Sequence, residues 1–443
     1  MRRRMAAMGK WLLPGMRIKR WLLLAVVGVI LVTLGFVYLL RDRDIFDAEA
    51  WVRTETGWNV PPYGLELACM VVGVTAIVFG IRGWFQSIYH ALVPFESKQL
   101  VEVVYERHFS PGVKVVVVGG GTGLSSLLRG LKAETSNITA VVSVSDDGGS
   151  SGRLRKELGV LPPGDIRNCL VALADDESLL SELFQYRFAE GDDIGGHSFG
   201  NLFLAALTGV AGGDFDQAVK LTSKILAIRG RVLPATLDTS TLCAEYEDGT
   251  IICGESEIPR QRQKLKRVML MPDNCSPQPD VLAALREADL IILGPGSLYT
   301  SVLPNLLVRG VADGIRQSRA VKIYVCNVMT QPGETDGFKA SDHVMALVDH
   351  LGDPLVDFAL LNDEVPQRLL RKYEAEGAYP VLADVEDVQK LGVECILASL
   401  ISETNLVRHD PQKLAEAIHH IVEEKCHPAE GFLRLLDKPL RVA

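Results

Sequence analysis

Lys114 to Leu131 reads K-V-V-V-V-G-G-G-T-G-L-S-S-L-L-R-G-L. Four consecutive valines suit a strand buried on both faces of a parallel sheet, and the glycines after them let the backbone turn tightly into a helix. Gly119, Gly120, Gly121, Thr122 and Gly123 thus lie where a helix N-terminus points free amides at an anion, and phosphate is the expected guest. A second strand predicted over Ile138 to Val144 ends in S-D-D-G-G-S-S-G-R, Ser145 to Arg153. That turn brings two carboxylates, hydroxyls and a guanidinium together, which tips the pair of loops toward a nucleotide or phosphate site. The loop is not a dinucleotide fingerprint. Counting G-x-G-x-x-G from Gly119 puts Leu124 third, and counting from Gly121 puts Ser126 there. Asp146 does fall about where a ribose-binding acid would, so NAD binding stands as a runner-up.

Outward from this stretch, strands and helices alternate from Val113 onward, the pattern of an α/β, Rossmann-like, mostly parallel sheet with helices on both faces. Helical patterns crowd together at Asp165 to Ala174, Ser178 to Phe188, Ser198 to Val210 and Phe215 to Ala227, which reads as a helical insertion. Thr241 to Tyr246 and Thr250 to Gly254 flank Glu247-Asp248-Gly249, a hairpin signal, and Val268 to Leu270 adds a short strand. Alternation then resumes: helix at Val281 to Glu287, strand at Leu290 to Leu293, helix after Leu303, strand at Lys322 to Cys326, helix at Asp342 to Leu351, strand at Phe358 to Leu361.

The N-terminus differs in kind. Trp21 to Leu40 is twenty residues without a charge, and Leu65 to Ile81 carries only Glu66, near its outer end. Two membrane spans are expected, with a basic leader over 1–20, a short external loop within 21–82, a linker over 83–112 and the globular domain over 113–443. Seven lysines and arginines before Trp21 put the N-terminus, and after two spans the domain, in the cytoplasm. The chain is therefore read as a multi-pass protein of the cell membrane with its soluble domain cytoplasmic. A net charge of −9 with a pI near 5.6 argues against a general nucleic-acid binder. Eight cysteines stand singly without a C-x-x-C pair, so reduced thiols are expected rather than zinc or a disulfide framework.

Further segments could carry chemistry. Asp146 and Asp147 point to opposite faces if extended, whereas in a turn both could approach one site and hold Mg²⁺ beside a phosphate. The competing reading is an acidic turn with Ser150 or Ser151 capping a helix at Arg153 to Leu158. Asp165 and Asn168, in P-P-G-D-I-R-N, and His197 and Asn201, in G-G-H-S-F-G-N, begin helices as caps or as site residues. Gly294, Gly296 and Ser297 begin a second strand-end loop, and Asn327 to Thr335 follows the next strand. No Walker A or H-E-x-x-H occurs in the sequence.

Together, G-G-G-T-G-L, S-D-D-G-G-S-S-G-R-L-R-K-E-L, P-P-G-D-I-R-N, G-H-S-F-G-N-L, G-P-G-S-L-Y-T-S-V-L-P-N-L-L-V and N-V-M-T-Q-P-G-E-T-D-G closely resemble the YvcK branch of the CofD-like superfamily, from about Val113 to the last helix. The resemblance implies a gluconeogenesis factor that binds a UDP-sugar such as UDP-N-acetylglucosamine and supports gluconeogenic growth, cell shape and wall synthesis, with no established turnover. Its alternative is the enzymatic cousin, a 2-phospho-L-lactate transferase using a guanosine nucleotide conjugate and Mg²⁺. By similarity the site takes in Gly119 to Gly123, Asp146, Asp147, Asp165, Asn168, His197, Asn201 and the Gly294 to Ser297 loop. Tyr373, in R-K-Y, and Arg408, in V-R-H-D, look like the residues that hold the uridine nucleotide, where a ring can stack on a base and a guanidinium can grip a diphosphate. Implied partners are the nucleotide sugar, the membrane through the hairpin, wall-synthesis or regulatory proteins and a second copy of the chain. The hairpin lies outside the usual soluble pattern.

Overall fold

The computed structural model describes residues 18–40, 54, 64–92, 113–175, 179–191, 193–403 and 406–422, and the chain divides into two units between residues 103 and 104. In the first unit, helices α1 (Ile18–Leu40) and α2 (Gly64–Leu92) contain both expected spans, and α2 runs on into what was expected to be linker. They pack antiparallel: a Cβ on Gly28 would fall 2.6 Å from the Gly73 carbonyl oxygen, while Gly80 lies against Ala25 and Gly83 against the Trp21 ring. Glycines let the two backbones meet, as at many helix contacts in lipid. Among the described residues of the pair many other side chains are apolar and exposed, Leu23, Val71 and Phe79 among them. The leader 1–17, nearly all of the connecting segment 41–63 and the segment 93–112 lie outside the described residues.

The second unit is built on seven strands: β1 (Val115–Gly119), β2 (Ile138–Val142), β3 (Arg231–Pro234), β7 (Leu290–Leu293), β8 (Val321–Val325), β9 (Phe358–Asn362) and β10 (Glu394–Ala398). They run in the order β10-β9-β8-β7-β1-β2-β3, and every pairing is parallel. The valine run explains the sheet. Val116 and Val118 enter one core and Val115 and Val117 the other, so each successive side chain removes apolar surface worth roughly 1.5–3 kcal/mol from water.

Helices α3 (Gly121–Glu134), α4 (Gly149–Leu158), α5 (Gly164–Leu173), α6 (Leu179–Gln185), α7 (Phe199–Val210) and α8 (Phe215–Ile225) follow β1 and β2. The last four are the expected insertion. Strands β4 (Thr241–Tyr246), β5 (Ile251–Cys253) and β6 (Leu265–Met271) form a separate antiparallel sheet that contributes to the core on the Val116 face. Asp248 closes its turn by accepting from the Thr250 amide at 2.8 Å, and Gly249 has φ +85°. The last strands are β11 (Ile401–Glu403) and β12 (Val407–His409), which pair antiparallel.

Two expectations are corrected. Cys243 and Cys253 are not free thiols: hairpin register sets them opposite one another on β4 and β5, where they form a disulfide. Spacing alone hid a pairing that depends on which residues face across a turn. Nor do Ser150 and Ser151 cap a helix at Arg153, because α4 begins at Gly149 after a Gly148 cap with no side-chain bond. Both serines lie inside its first turn, Ser151 accepting from the Gly164 amide at 3.2 Å.

Candidate functional site

Strand order reverses between β1 and β7, and a crevice opens beyond their C-terminal ends, where open α/β sheets take ligands. The loop after β1 enters α3 through Gly121 at φ +67°, a conformation side-chain-bearing residues avoid. Gly123 backs directly onto the next loop, since a Cβ there would lie 2.8 Å from the Pro295 carbonyl oxygen. Asn305 holds the two loops together, its Nδ2 donating to the carbonyls of Gly119 at 3.0 Å and Ser301 at 2.7 Å. The third loop, after β8, joins through Asn327 Oδ1, which accepts from the Gly296 amide at 3.3 Å, and through Gln331 Oε1, which accepts from Ser297 Oγ at 2.5 Å. The result is a cleft of about 260 Å³ lined by Gly120 to Gly123, Pro295 to Ser297, Asn327 to Met329, Gln331 and Val407 to His409. Gly119 and Gly294 stand behind it at the strand ends, and Thr122 and Gly123 carry first-turn amides that no helical carbonyl serves.

Carboxylates gather beside the glycine loop. Asp165 accepts from the Gly121 amide, and burial, with the nearby Asp146 charge adding to it, raises its pKa to about 6. Glu255, just past β5, is raised to about 8, first by burial and then by Asp146, Asp165, Glu334 and Asp147. Glu334 is 5% exposed and raised to about 7 by burial, against the pull of hydrogen bonds from Thr300 and Gln331. Asp146 and Asp147 turn to different partners: Asp146 Oδ1 accepts from the Gly148 amide at 2.9 Å, and Asp147 Oδ1 from the Ser256 amide at 2.9 Å. Among the described residues no three His, Cys, Asp or Glu side chains are grouped to hold a metal. Mg²⁺ needs only one or two carboxylates beside phosphate and water. Asp146 and Asp165, close enough for one charge to shift the other, suit that smaller demand.

An adjoining network takes the other sequence candidates. His197 Nδ1 meets Ser150 Oγ at 2.9 Å, and Asn201 Nδ2 donates to the same oxygen at 3.0 Å. Arg167 donates to Asn201 Oδ1 at 2.9 Å, to Asn168 Oδ1 at 2.7 Å and to the Ser198 hydroxyl. Ser198, not His197, caps α7. Burial and the charge of Arg153 lower the His197 pKa. Asn168, His197 and Asn201 do not line the cleft; Asp165, on α5 with Arg167 and Asn168, connects them to it.

Arg408 does line the cleft. Tyr373, on the helix Leu370–Glu376, stands behind it, its hydroxyl accepting from the Val407 amide at 3.1 Å and its ring against Val328, Met329 and Val407. Sequence reasoning nominated neither Glu255 nor His409. His409 is buried in the cleft wall, and burial lowers its pKa to about 4, keeping the imidazole neutral. Glu255 follows a hairpin, and only that hairpin's return carries it to Asp147.

Residues 115–401 match the family described as 2-phospho-L-lactate transferase CofD. The gluconeogenesis factor of Bacillus subtilis is 51% identical over 313 residues, 70% of this chain and 98% of its own. A relative from Nostoc sp. is 49% identical over 418 residues, 92% of this chain and 91% of its own. A crystal structure of a Bacillus halodurans protein superposes with a TM-score of 0.68 at 52% identity, covering 69% of this chain and 99% of that one.

Proposed function

The chain belongs to the CofD family, in its gluconeogenesis-factor branch, and from that premise we propose that it is a membrane-anchored, cytosol-facing factor that binds a UDP-sugar of the UDP-N-acetylglucosamine type. Through the bound state it would couple carbon supply to wall synthesis and shape. The observation that carries the reading is the convergence of three strand-end loops and Arg408 on one cleft at the point where strand order reverses. The Thr122 and Gly123 amides and the Arg408 guanidinium suit a diphosphate, one by helix-terminal donors and the other by a bidentate grip. At about 260 Å³ the cleft is below the usual roughly 300–1,000 Å³ of ligand pockets, so a sugar nucleotide would extend past its rim. Mg²⁺ on Asp146 and Asp165 would offset the charge of diphosphate and carboxylates together.

The transferase reading has its own support. Asp165 and Glu255, raised to about 6 and about 8, are carboxyl groups able to hold and give up a proton near neutral pH beside a ligand phosphate. Calorimetry of residues 104–443 with UDP-N-acetylglucosamine, GDP and NAD, with and without Mg²⁺, separates the readings. UDP-N-acetylglucosamine binding that Arg408→Ala weakens about tenfold or more supports the proposal. Tight GDP binding with no response to the UDP-sugar moves the assignment to the transferase class, and NAD binding alone overturns both.

A further inference from the structure

Glu334 lies behind the cleft wall rather than in it. Its Oε1 accepts from Gln331 Nε2 at 2.6 Å and from Thr300 Oγ at 3.2 Å. Its side chain is buried, and among the described residues Oε2 has no hydrogen-bond partner. Gln331 is fixed at both ends, because its backbone amide donates to Thr335 Oγ1 at 2.8 Å while its side-chain Oε1 accepts from Ser297 Oγ at 2.5 Å. Ser297 and Gln331 both line the cleft. These bonds form a line with one direction: Ser297 gives its only proton to Gln331, and Gln331 gives an amide proton to Glu334. Oε1 takes both donors, so it accepts whether the carboxyl is ionised or carries a proton on Oε2, and the Gln331 amide presents nitrogen to Glu334 and therefore oxygen to Ser297.

We propose that Glu334 is a positioning residue which, through Gln331, fixes Ser297 as a hydrogen-bond acceptor toward the cleft, so that this wall takes a hydroxyl or N–H group of the ligand and not its phosphate. The inference rests on the sugar-nucleotide reading and deepens it by orienting the ligand. Phosphate oxygens, which can only accept, belong against the amides of Thr122 and Gly123. A sugar hydroxyl, acetamido N–H or base imide belongs against Ser297. A site built to pair with a donor discriminates strongly against a group that lacks one, because its own acceptor is then left desolvated and unpaired.

The test uses residues 104–443, the unit that corresponds to nearly the whole length of the crystallised Bacillus halodurans chain. Calorimetry compares UDP-N-acetylglucosamine with inorganic pyrophosphate across Ser297→Ala, Glu334→Met and Glu334→Gln. Glu334→Met keeps length but removes the acceptor and frees the Gln331 amide to turn. Glu334→Gln retains an oxygen for Gln331 and Thr300. The expected result is that the UDP-sugar affinity, taken relative to pyrophosphate, falls about three- to tenfold in Ser297→Ala and Glu334→Met and is largely restored in Glu334→Gln. Rescue by glutamine separates polarity from packing, since a packing role would be filled as well by methionine. An unchanged ratio in Ser297→Ala, which replaces a cleft-lining hydroxyl and does not depend on Glu334 variants folding, overturns the proposal while leaving the function reading intact. Absence of UDP-sugar binding in the unsubstituted protein overturns the function reading and this inference with it.

Discussion

One methyl group at position 123 should be enough to separate the two loops that form the cleft. In Gly123→Ala the new Cβ would meet the Pro295 carbonyl at 2.8 Å and the Gly296 amide nitrogen at 3.1 Å, both backbone, so the loops must move apart at a cost of about 1–3 kcal/mol. The expected outcome is a chain that still folds, melts a few degrees lower and loses nucleotide binding; calorimetric titration beside a thermal melt checks it, and full affinity would show that the loops need not touch. The carboxylates titrate with a definite sign. Asp165, Glu334 and Glu255 are raised to about 6, 7 and 8, above the ordinary range near ~4, so the folded chain holds these protons more tightly than the unfolded one. Their stabilisation is complete below about pH 4 and is lost as pH rises through those three values. The melting temperature of residues 104–443 should therefore fall between about pH 4 and 8, and Glu255→Gln should flatten the upper part of that slope. A slope untouched by the substitution would place the titration elsewhere. At this scale the sequence disclosed the glycine and Asp146 loops because each is contiguous. It did not disclose Glu255, whose neighbour Ser256 meets Asp147 only through tertiary folding, nor Glu334, whose role depends on a line of bonds through Gln331.

Elements with two buried faces announce themselves, and edge elements do not. Strands β1, β7 and β9 were legible as apolar runs because alternate residues feed different cores, and valine, isoleucine and leucine are the economical choice for both faces. Strand β3, Arg231–Pro234, and strand β10, with the burial pattern exposed at both Glu394 and Leu397, lie at the two sheet edges. Their mixed composition reads as loop until pairing is known. The small sheet was legible as a hairpin, but not its docking onto the loop after β8. That docking passes through Gly333, at φ +83°, where an added Cβ would fall 2.0 Å from the Pro259 carbonyl oxygen. Gly333→Ala combines an unfavourable backbone conformation with a clash against main chain, so a loss of about 2–4 kcal/mol is expected. Urea unfolding of residues 104–443 measures it. Because Glu334 is the next residue, the same variant should also weaken binding at the Ser297 wall, and a destabilised chain that binds normally would uncouple the small sheet from the cleft.

At the scale of the whole chain, the relatives fall into two lengths. The Bacillus subtilis factor covers 70% of this chain, close to the share occupied by residues 113–443, about three quarters, whereas the Nostoc relative covers 92% and so must extend into the first unit. An apolar helix pair is thus an addition to a domain that exists without it. The exposed faces of α1 and α2 are apolar over Arg20–Val37 and Leu67–Trp84, each long enough to cross a bilayer, and the glycine contacts leave the large side chains turned outward. In water such a pair would expose far more contiguous apolar surface than the few hundred Å² typical of soluble monomers. The full chain is accordingly expected to sediment with membranes and to stay there in high salt and carbonate, which strip proteins held by charge alone. Residues 104–443 should remain in the supernatant and bind UDP-N-acetylglucosamine within about twofold of the detergent-solubilised full chain, since every residue lining the cleft lies in the second unit. Release of the full chain by salt would count against spanning. A fragment that stays soluble but binds tenfold more weakly would show instead that the first unit takes part in the site, and the cleft could no longer be treated as the property of the domain alone.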